Sequence, residues 1–163
     1  MNPVDKLTLP FLAAATLALA LPLGACQPVQ QTLSCDFAPY MAAKQAPQLA
    51  LVPDQPGTMT PIALNSVSFS DTFTAERVLV QYTGAQRTPT GTVEVTTRMF
   101  NCTDWPLVVE GRTNFFDEGQ RPVEPVSAWQ KIHLPPRSVG HYSEMSIDAK
   151  RVQTYLTELR TAP

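Results

Sequence analysis

Two histidines and a methionine are the side chains of this sequence that could bind a metal together. His133 and His141 flank the dipeptide Pro135-Pro136, and a hairpin at that turn would bring both imidazoles together, with Met145 or Glu144 as a further ligand. Imidazole and thioether groups are ligands for copper or zinc. Two imidazoles without carboxylates of fixed geometry nevertheless make a weak site, since protein zinc is held by at least three side chains. The sequence therefore predicts no metal, and binding of a metal or small ligand is kept as the alternative function.

Catalytic groups are equally sparse. Ser143, His141 and Asp148 supply the residue types of a catalytic triad, but Ser143 and His141 are two apart and would point the same way without Ser143 Oγ being presented to the imidazole. There is no Gly-x-Ser-x-Gly turn and no glycine-rich phosphate loop. We predict that the protein is not an enzyme and uses no cofactor.

The stretch Leu23-Gly24-Ala25-Cys26 closes an apolar run that begins at residue 7. A leucine, two small residues and a cysteine resemble the lipobox of bacterial lipoproteins, in which the signal peptide is cleaved before a cysteine that becomes acylated. The alternatives are an ordinary signal peptide or a membrane helix, but the run is short and proline-interrupted against the ~20 apolar residues of a span. The resemblance implies a signal peptide at 1–25 and lipidation of Cys26. Gln27, in place of aspartate, implies the outer membrane, with the protein facing the periplasm.

Two cysteines remain once Cys26 is set aside. Cys35 and Cys102 form an even pair, and export to an oxidising compartment favours a disulfide between them. Two separate buried thiols are the alternative, because free cysteine packs as a small hydrophobe. Zinc is disfavoured because structural zinc sites use paired Cys-x-x-Cys spacing.

Charge and composition divide the remaining chain and exclude one class of partner. With 12 basic and 14 acidic residues and no basic cluster larger than a pair, the chain lacks the charge pattern of nucleic-acid binding. Residues 26–60 are rich in proline, glutamine and alanine, which predicts an extended tether. A short helix at 36–43, capped by Asp36, is the ordered part that we expect within it. Residues 61–163 form the predicted domain.

From residue 61 the apolar period is two, which predicts strands. The expected strands, separated by turn residues that include a polar loop at 84–91 and an Asp117-Glu118-Gly119-Gln120 turn, cover residues 62–69, 77–82, 92–100, 107–116, 129–134 and 139–147. The spacing predicts an all-β, antiparallel, immunoglobulin- or fibronectin-like sandwich. The C-terminal residues are ambiguous, because the apolar positions after Asp148 have helical spacing whereas the residue types at 152–156 favour a strand.

Part of this domain, from residue 92 to residue 156, resembles the YcfL-type small bacterial lipoproteins, a family of uncharacterised function. The resemblance rests on Tyr82 and three segments: 114–120 (Asn-Phe-Phe-Asp-Glu-Gly-Gln), 129–138 (Trp-Gln-Lys-Ile-His-Leu-Pro-Pro-Arg-Ser) and 150–156 (Lys-Arg-Val-Gln-Thr-Tyr-Leu). Cys35, Cys102 and the long proline-rich segment depart from it. The resemblance implies a closing strand at the C-terminus and an envelope address, and it supplies no activity.

Aromatic residues are the remaining candidates for a binding surface, since tryptophan and tyrosine are enriched in protein recognition. We expect Trp129 to pack in the core and predict a partner surface from four other aromatic residues, namely Phe115, Phe116, Trp105 and Tyr142. Phe115 and Phe116 are adjacent on one strand and must point to opposite faces. Together these features predict a lipid-anchored, non-catalytic interaction module of the bacterial envelope, whose partners are the membrane and another envelope protein.

Overall fold

A computed structural model describes residues 35–38, 47–61, 63, 65–148 and 150–163. Its elements are β1 (Ala50–Leu51), β2 (Val67–Phe69), α1 (Thr72–Ala75), β3 (Val78–Arg87), β4 (Val93–Asn101), β5 (Leu107–Phe116), β6 (Gln130–Leu134), β7 (Val139–Ser146) and β8 (Thr154–Thr161). They form sheet A, in the order β1-β8-β5-β6 with β2 also paired to β8, and sheet B, in the order β3-β4-β7. Every pairing of strands is antiparallel except β2 with β8. The predicted all-β sandwich is confirmed.

Alternation along the strands decides which side chains enter the core. In β4, Val93, Val95, Thr97 and Met99 are buried, as their spacing predicts, because successive side chains of a strand point to opposite faces. The apolar core divides into two clusters, one around Val95, Phe115 and Tyr155 and the other around Met99, Leu134 and Leu159. Burial of apolar surface at about 25 cal/mol per Å² is the main force that holds the sheets together.

Buried hydroxyl groups also cross the interior. Thr83 and Thr97 Oγ1 lie 2.9 Å apart, and Thr83 Oγ1 lies 3.3 Å from Tyr155 Oη. Thr113 Oγ1 lies 3.0 Å from Tyr142 Oη and so gives the second buried tyrosine a partner. A buried polar group without a partner is costly, so these pairs favour one register of the strands.

The C-terminal residues form a strand, as the family resemblance implies and against the helical spacing. β8 pairs with β5 along its whole length, from Val109 opposite Thr161 to Phe116 opposite Thr154. Tertiary pairing in the middle of a sheet outweighs the local periodicity.

The segment before β2 differs from the predicted tether. Ala50–Leu51 pairs with β8, and Val52 is buried in the core. Pro56 then forms a bridge with Arg87 at the edge of β3, where Arg87 Nε donates to Pro53 O at 2.9 Å. The folded domain therefore begins before residue 61. Of the predicted helix at 36–43, residues 39–43 lie outside the described residues, and Ala38 N donates to Asp36 Oδ1 at 2.9 Å.

Two predicted turns also differ in detail. β3 runs on to Arg87, so the loop expected at 84–91 is in large part strand. Gly84 leaves room within that strand for the Tyr82 side chain, whose Oη occupies the space that a Cβ at residue 84 would take. In the turn after β5, the residue with positive φ is Gln120, at 59°, and not Gly119.

Candidate functional site

The four residues predicted as a partner surface do not form one. Phe115 and Tyr142 point inward from β5 and β7 and are buried, because both occupy inner-face positions of their strands. Phe116 is half-buried on the opposite face of β5. Trp105 alone is exposed, with 52% of its surface accessible, in the turn after β4.

Tyr142 is instead a structural residue. Its ring lies against Gly111, where a Cβ would come within 2.8 Å of Tyr142 Cδ2. Burial raises the pKa of Tyr142 to about 12, against the lowering effect of hydrogen bonds with Thr113 and Ser127. The phenol therefore stays protonated and serves the fold.

Trp129 lies on the outer face of sheet A and not in the core. Its ring covers two guanidinium groups, with Arg112 Cζ 4.4 Å and Arg160 Cζ 4.0 Å from the ring centroid. Arg112 Nε donates to Glu158 Oε2 at 2.7 Å, and Arg160 Nε donates to Glu110 Oε2 at 2.9 Å. We call these five residues the Trp129 cluster. Cation–π contacts of this kind contribute about 0.5–2 kcal/mol each.

The sequence contains a signal for this cluster that the strand analysis missed. Glu110-Gly111-Arg112 on β5 and Glu158-Leu159-Arg160 on β8 have the same order of charges. Antiparallel pairing reverses one strand, so Glu110 lies opposite Arg160 and Arg112 lies opposite Glu158. Opposite charges facing each other across a sheet stabilise the pairing.

His133 and His141 are on different sheets. β6 and β7 do not form a hairpin, because the Pro135-Pro136 turn carries the chain from sheet A to sheet B. Each histidine is exposed and alternates with buried neighbours, so His133 lies on the outer face of sheet A and His141 on the outer face of sheet B. Met145 follows His141 on sheet B. Among the described residues there is no group of three or more histidine, cysteine or acidic side chains able to hold a metal.

One end of the sandwich is held by a disulfide and a buried amide. Cys35 is bonded to Cys102, with Cα atoms 6.0 Å apart, as the sequence predicts. Asn101 is buried beside it and donates from Nδ2 to the carbonyl oxygens of Trp105, Leu134 and Pro135 at 2.9–3.0 Å. We call this end, built from α1, the turn at 102–106 and the turn at 135–138, the Cys102 pole. The Asn101-Cys102-Thr103 sequon is formally a glycosylation sequence, but this amide is buried and fully bonded.

An open groove lies beside α1 at the same pole. It has a volume of about 520 Å³ and is lined by Ser70, Asp71, Phe73, Arg160 and Thr161. Asp71 caps α1 by accepting from Thr74 N at 2.7 Å and also accepts from Thr161 N at 2.8 Å. Burial acts to raise the pKa of Asp71, but these hydrogen bonds outweigh it and the pKa is lowered. The carboxylate of Asp71 already accepts hydrogen bonds from Thr74 and Thr161, so the groove does not present it as a free anion.

The opposite end presents apolar side chains. β4 runs from Val93 to Asn101, so its two ends lie about 27 Å apart. We call the end near Val93, with the loops at 88–92, 117–126 and 147–151, the Ile147 pole. Ile147 is 85% exposed there, and Met145, two residues earlier on the same face, is 57% exposed. Isolated exposed apolar residues are normal, but two that are separated by a single residue mark a candidate contact surface.

These features define a β-sandwich domain with one covalently fastened pole. Two solved structures have a similar arrangement of chain. The crystal structure of Campylobacter jejuni cj0090 is 13% identical, with a TM-score of 0.48 over 60% of this chain and 99% of that chain. The crystal structure of a DUF1425 family member from Shewanella sp. pv-4 is 14% identical, with a TM-score of 0.47 over 70% of this chain and 96% of that chain.

No protein-family model matches the chain, and no curated protein matches it either. The YcfL-like resemblance therefore stays a prediction. Within the part of the chain that the structure describes, no helix is long and apolar enough to cross a membrane. The apolar run that ends at residue 23 and the predicted lipidation site, Cys26, lie outside the described residues.

Proposed function

We propose that this protein is lipid-anchored through Cys26 in the bacterial envelope and acts there as a non-catalytic interaction module. The observation that supports the anchor most directly is the Cys35–Cys102 disulfide. The sequence has three cysteines, so this bond leaves Cys26 without a partner in its own chain. The unpaired cysteine is the one that follows Leu23-Gly24-Ala25, where a lipoprotein is acylated.

The disulfide also supports export. Disulfides persist in oxidising compartments such as the periplasm and are rare in the cytosol. A lipoprotein that is cleaved and acylated at Cys26 would present Cys35 and Cys102 to that compartment. Gln27 after the acylated residue favours the outer membrane, with the sandwich in the periplasm.

The polar residues of the described domain support a binding role over a catalytic one. Glu110 is buried but paired with Arg160, and the hydroxyl of Tyr142 is paired with Thr113. Asn101 uses its Nδ2 donor on three carbonyl groups. Groups that serve the fold in this way are not free to transfer protons or attack a substrate.

We place the contact surface for a protein partner at the Ile147 pole, on Met145 and Ile147. The chain that leads from Cys26 is fastened at the other pole, because Cys35 is bonded to Cys102, so a partner at the Ile147 pole does not compete with that connection. Exposed Met and Ile side chains suit the apolar centre of a protein interface.

Two experiments test this proposal. Labelling with radioactive palmitate should mark the wild type and not Cys26→Ser, and unlabelled wild type would refute the anchor. A photo-crosslinking amino acid at Met145 should form an adduct with an envelope protein in cells. The matched control is the same amino acid at Lys131, which is exposed on sheet A. Equal adducts from both positions, or none from Met145, would contradict the contact surface.

A further inference from the structure

We propose that the Cys102 pole faces the membrane and that Trp105 and Phe73 enter the lipid headgroup layer there. This inference rests on the lipidation of Cys26 proposed above. It starts from the length of chain between the lipid and the first residue that is fastened to the sandwich.

The disulfide makes that length short. Eight residues, 27–34, separate Cys26 from Cys35, and Cys35 is bonded to Cys102. A fully extended chain spans at most about 3.3–3.6 Å per residue, so Cys35 stays within roughly 30 Å of the acylated residue. The Cα of Cys102 lies 6.0 Å from that of Cys35. Without the disulfide, the first paired residue of the sandwich is Ala50 in β1. The same geometry then allows a reach of roughly 80 Å.

A short connection favours one orientation of the domain. β5 has 10 residues, which makes the sandwich about 33 Å long. If the Ile147 pole pointed at the membrane, Cys102 would lie about one domain length away from it. The eight residues would then have to be stretched almost completely, which sacrifices their conformational freedom. With the Cys102 pole toward the membrane, the chain length allows the connection without such stretching.

The Cys102 pole has the residues that suit a bilayer interface. Trp105 is 52% exposed and Phe73 is 44% exposed. Tryptophan is enriched at the headgroup level of membranes, because its ring is apolar and its N–H is polar. The guanidinium of Arg77 lies 4.0 Å from the Phe73 ring centroid and can remain in the aqueous headgroup layer.

Charge does not drive this contact. Arg137 Nε donates to Asp104 Oδ1 at 2.8 Å, and Arg77 Nη1 lies 3.3 Å from Glu76 Oε2, so the basic groups named here have acidic partners. We therefore expect aromatic insertion that does not depend on anionic lipid. The contact need not be strong, because the acyl chains already hold the domain at a high local concentration near the bilayer.

The two tryptophans allow a direct test. The purified, acylated full-length protein is incorporated into phosphatidylcholine vesicles whose acyl chains are brominated, which quenches tryptophan emission near the bilayer. Trp129→Phe leaves Trp105 as the emitter, and Trp105→Phe leaves Trp129, on the outer face of sheet A, as the matched control. We expect loss of emission from Trp105 and little loss from Trp129, and no change when phosphatidylglycerol is added.

Lengthening the connection tests the role of reach without disturbing the fold. Inserting a flexible Gly-Ser segment between Gln27 and Ser34 should restore the emission of Trp105 while the vesicles still hold the protein. Quenching that survives this insertion, that requires anionic lipid, or that is equal for both tryptophans would overturn the inference.

Flotation of the vesicles separates the two proposals. If the wild type does not float with the vesicles, lipid anchoring itself fails. If the wild type floats and Cys26→Ser does not, but Trp105 is unquenched, the anchor stands and the orientation proposed here is wrong.

Discussion

The Cys102 pole and the Ile147 pole terminate the same strands but are held in different ways. At the Cys102 pole the turns are joined by a disulfide, by the amide of Asn101 and by the carboxylate of Asp71. At the Ile147 pole, Arg151 Nε donates to Asp148 Oδ2 at 2.6 Å, a pair within a single turn on the surface, and Arg151 Nη2 donates to Val123 O at 3.0 Å in the 117–126 loop. Cross-links between distant segments limit local opening, and at the Cys102 pole one of these cross-links is covalent.

The two poles also differ in how completely their buried polar groups are hydrogen-bonded. Asn101 is buried and fully bonded, whereas Thr154 Oγ1 is a buried side-chain atom that lacks a partner. Thr154 pairs with Leu51 and Phe116 and lines a pocket of about 400 Å³ near the Ile147 pole. The difference teaches that the covalent cross-link and the fully bonded buried amide lie at the pole where Cys35 is fastened, whereas the unpaired hydroxyl of Thr154 lies near the other end.

Removing the disulfide should have the largest effect on this difference. The bond closes a sequence separation of 67 residues, for which the chain-entropy model gives a loss of about 4 kcal/mol in the free energy of unfolding for Cys35→Ser with Cys102→Ser. Urea denaturation of the oxidised wild type and the double variant measures it. Cys26→Ser is the control and should leave the urea midpoint unchanged. An unchanged midpoint in the double variant would show that the Cys102 pole does not depend on its cross-link.

Asn101→Ala should cause the next largest loss in the free energy of unfolding. The change removes the donor of the carbonyl groups of Leu134 and Pro135, and these stay partly or fully buried. Leaving buried groups unpaired costs ~1–3 kcal/mol each, so we expect a loss of about 3 kcal/mol in the free energy of unfolding. Asn114→Ala, which breaks a half-buried hydrogen bond to Glu158, is the control and should cost below about 1 kcal/mol. Similar losses for the two variants would contradict the special role of Asn101.

The alternation of apolar and polar residues alone predicts most of the residues of the two sheets correctly. The strand at Leu107–Phe116 is predicted to the residue, because alternate positions from Leu107 to Phe115 enter the core and turn residues stand at both ends. Ala50–Leu51 escapes the same reasoning, since two residues show no period and their pairing with β8 is decided by tertiary contact. β3 continues past its predicted end because Gly84 accommodates the Tyr82 ring, not because it makes a turn.

Surface sites are harder to predict, because a pattern does not say which sheet a strand joins. His133 and His141 were expected to meet across a hairpin, but the Pro135-Pro136 turn is a crossover between sheets. Trp129 was expected in the core, since large aromatic residues bury extensive area. It covers Arg112 and Arg160 instead, a placement that depends on the pairing of β5 with β8.

Asp71→Ala should have a smaller effect, which depends on pH. Loss of the helix cap and of the acceptor for Thr161 N–H should cost about 1–2 kcal/mol at neutral pH. Because the pKa of Asp71 is lowered in the folded state, its contribution is present above its ordinary value of 3.8 and is lost as the pH falls through the folded pKa. The difference in the free energy of unfolding between wild type and Asp71→Ala should therefore become smaller in acid. Urea midpoints measured at pH 7 and in acid would show this.

The matched variant for this measurement is Asp148→Ala at the Ile147 pole. The hydrogen bond from Arg151 is the main cause that lowers the pKa of Asp148, but that pair is exposed and lies within one turn. We expect its removal to change the urea midpoint less than Asp71→Ala does. Equal losses would mean that the two poles do not differ in how their carboxylates are used.

The smallest effect on stability is expected at the residue proposed to contact a partner. Ile147→Asn should change the free energy of unfolding by less than about 0.5 kcal/mol, because the side chain is 85% exposed and contributes little to the core. The same residue type in the core, at Ile132, is buried, and Ile132→Ala should cost about 2–5 kcal/mol. Ile147→Asn should nevertheless abolish the photo-crosslink from Met145, since an asparagine at the centre of an apolar contact would be desolvated without a partner. If a stable Ile147→Asn variant still forms the adduct, the contact surface does not lie at this pole. If the adduct is lost at unchanged stability, the Ile147 pole binds the partner and the Cys102 pole fastens the chain.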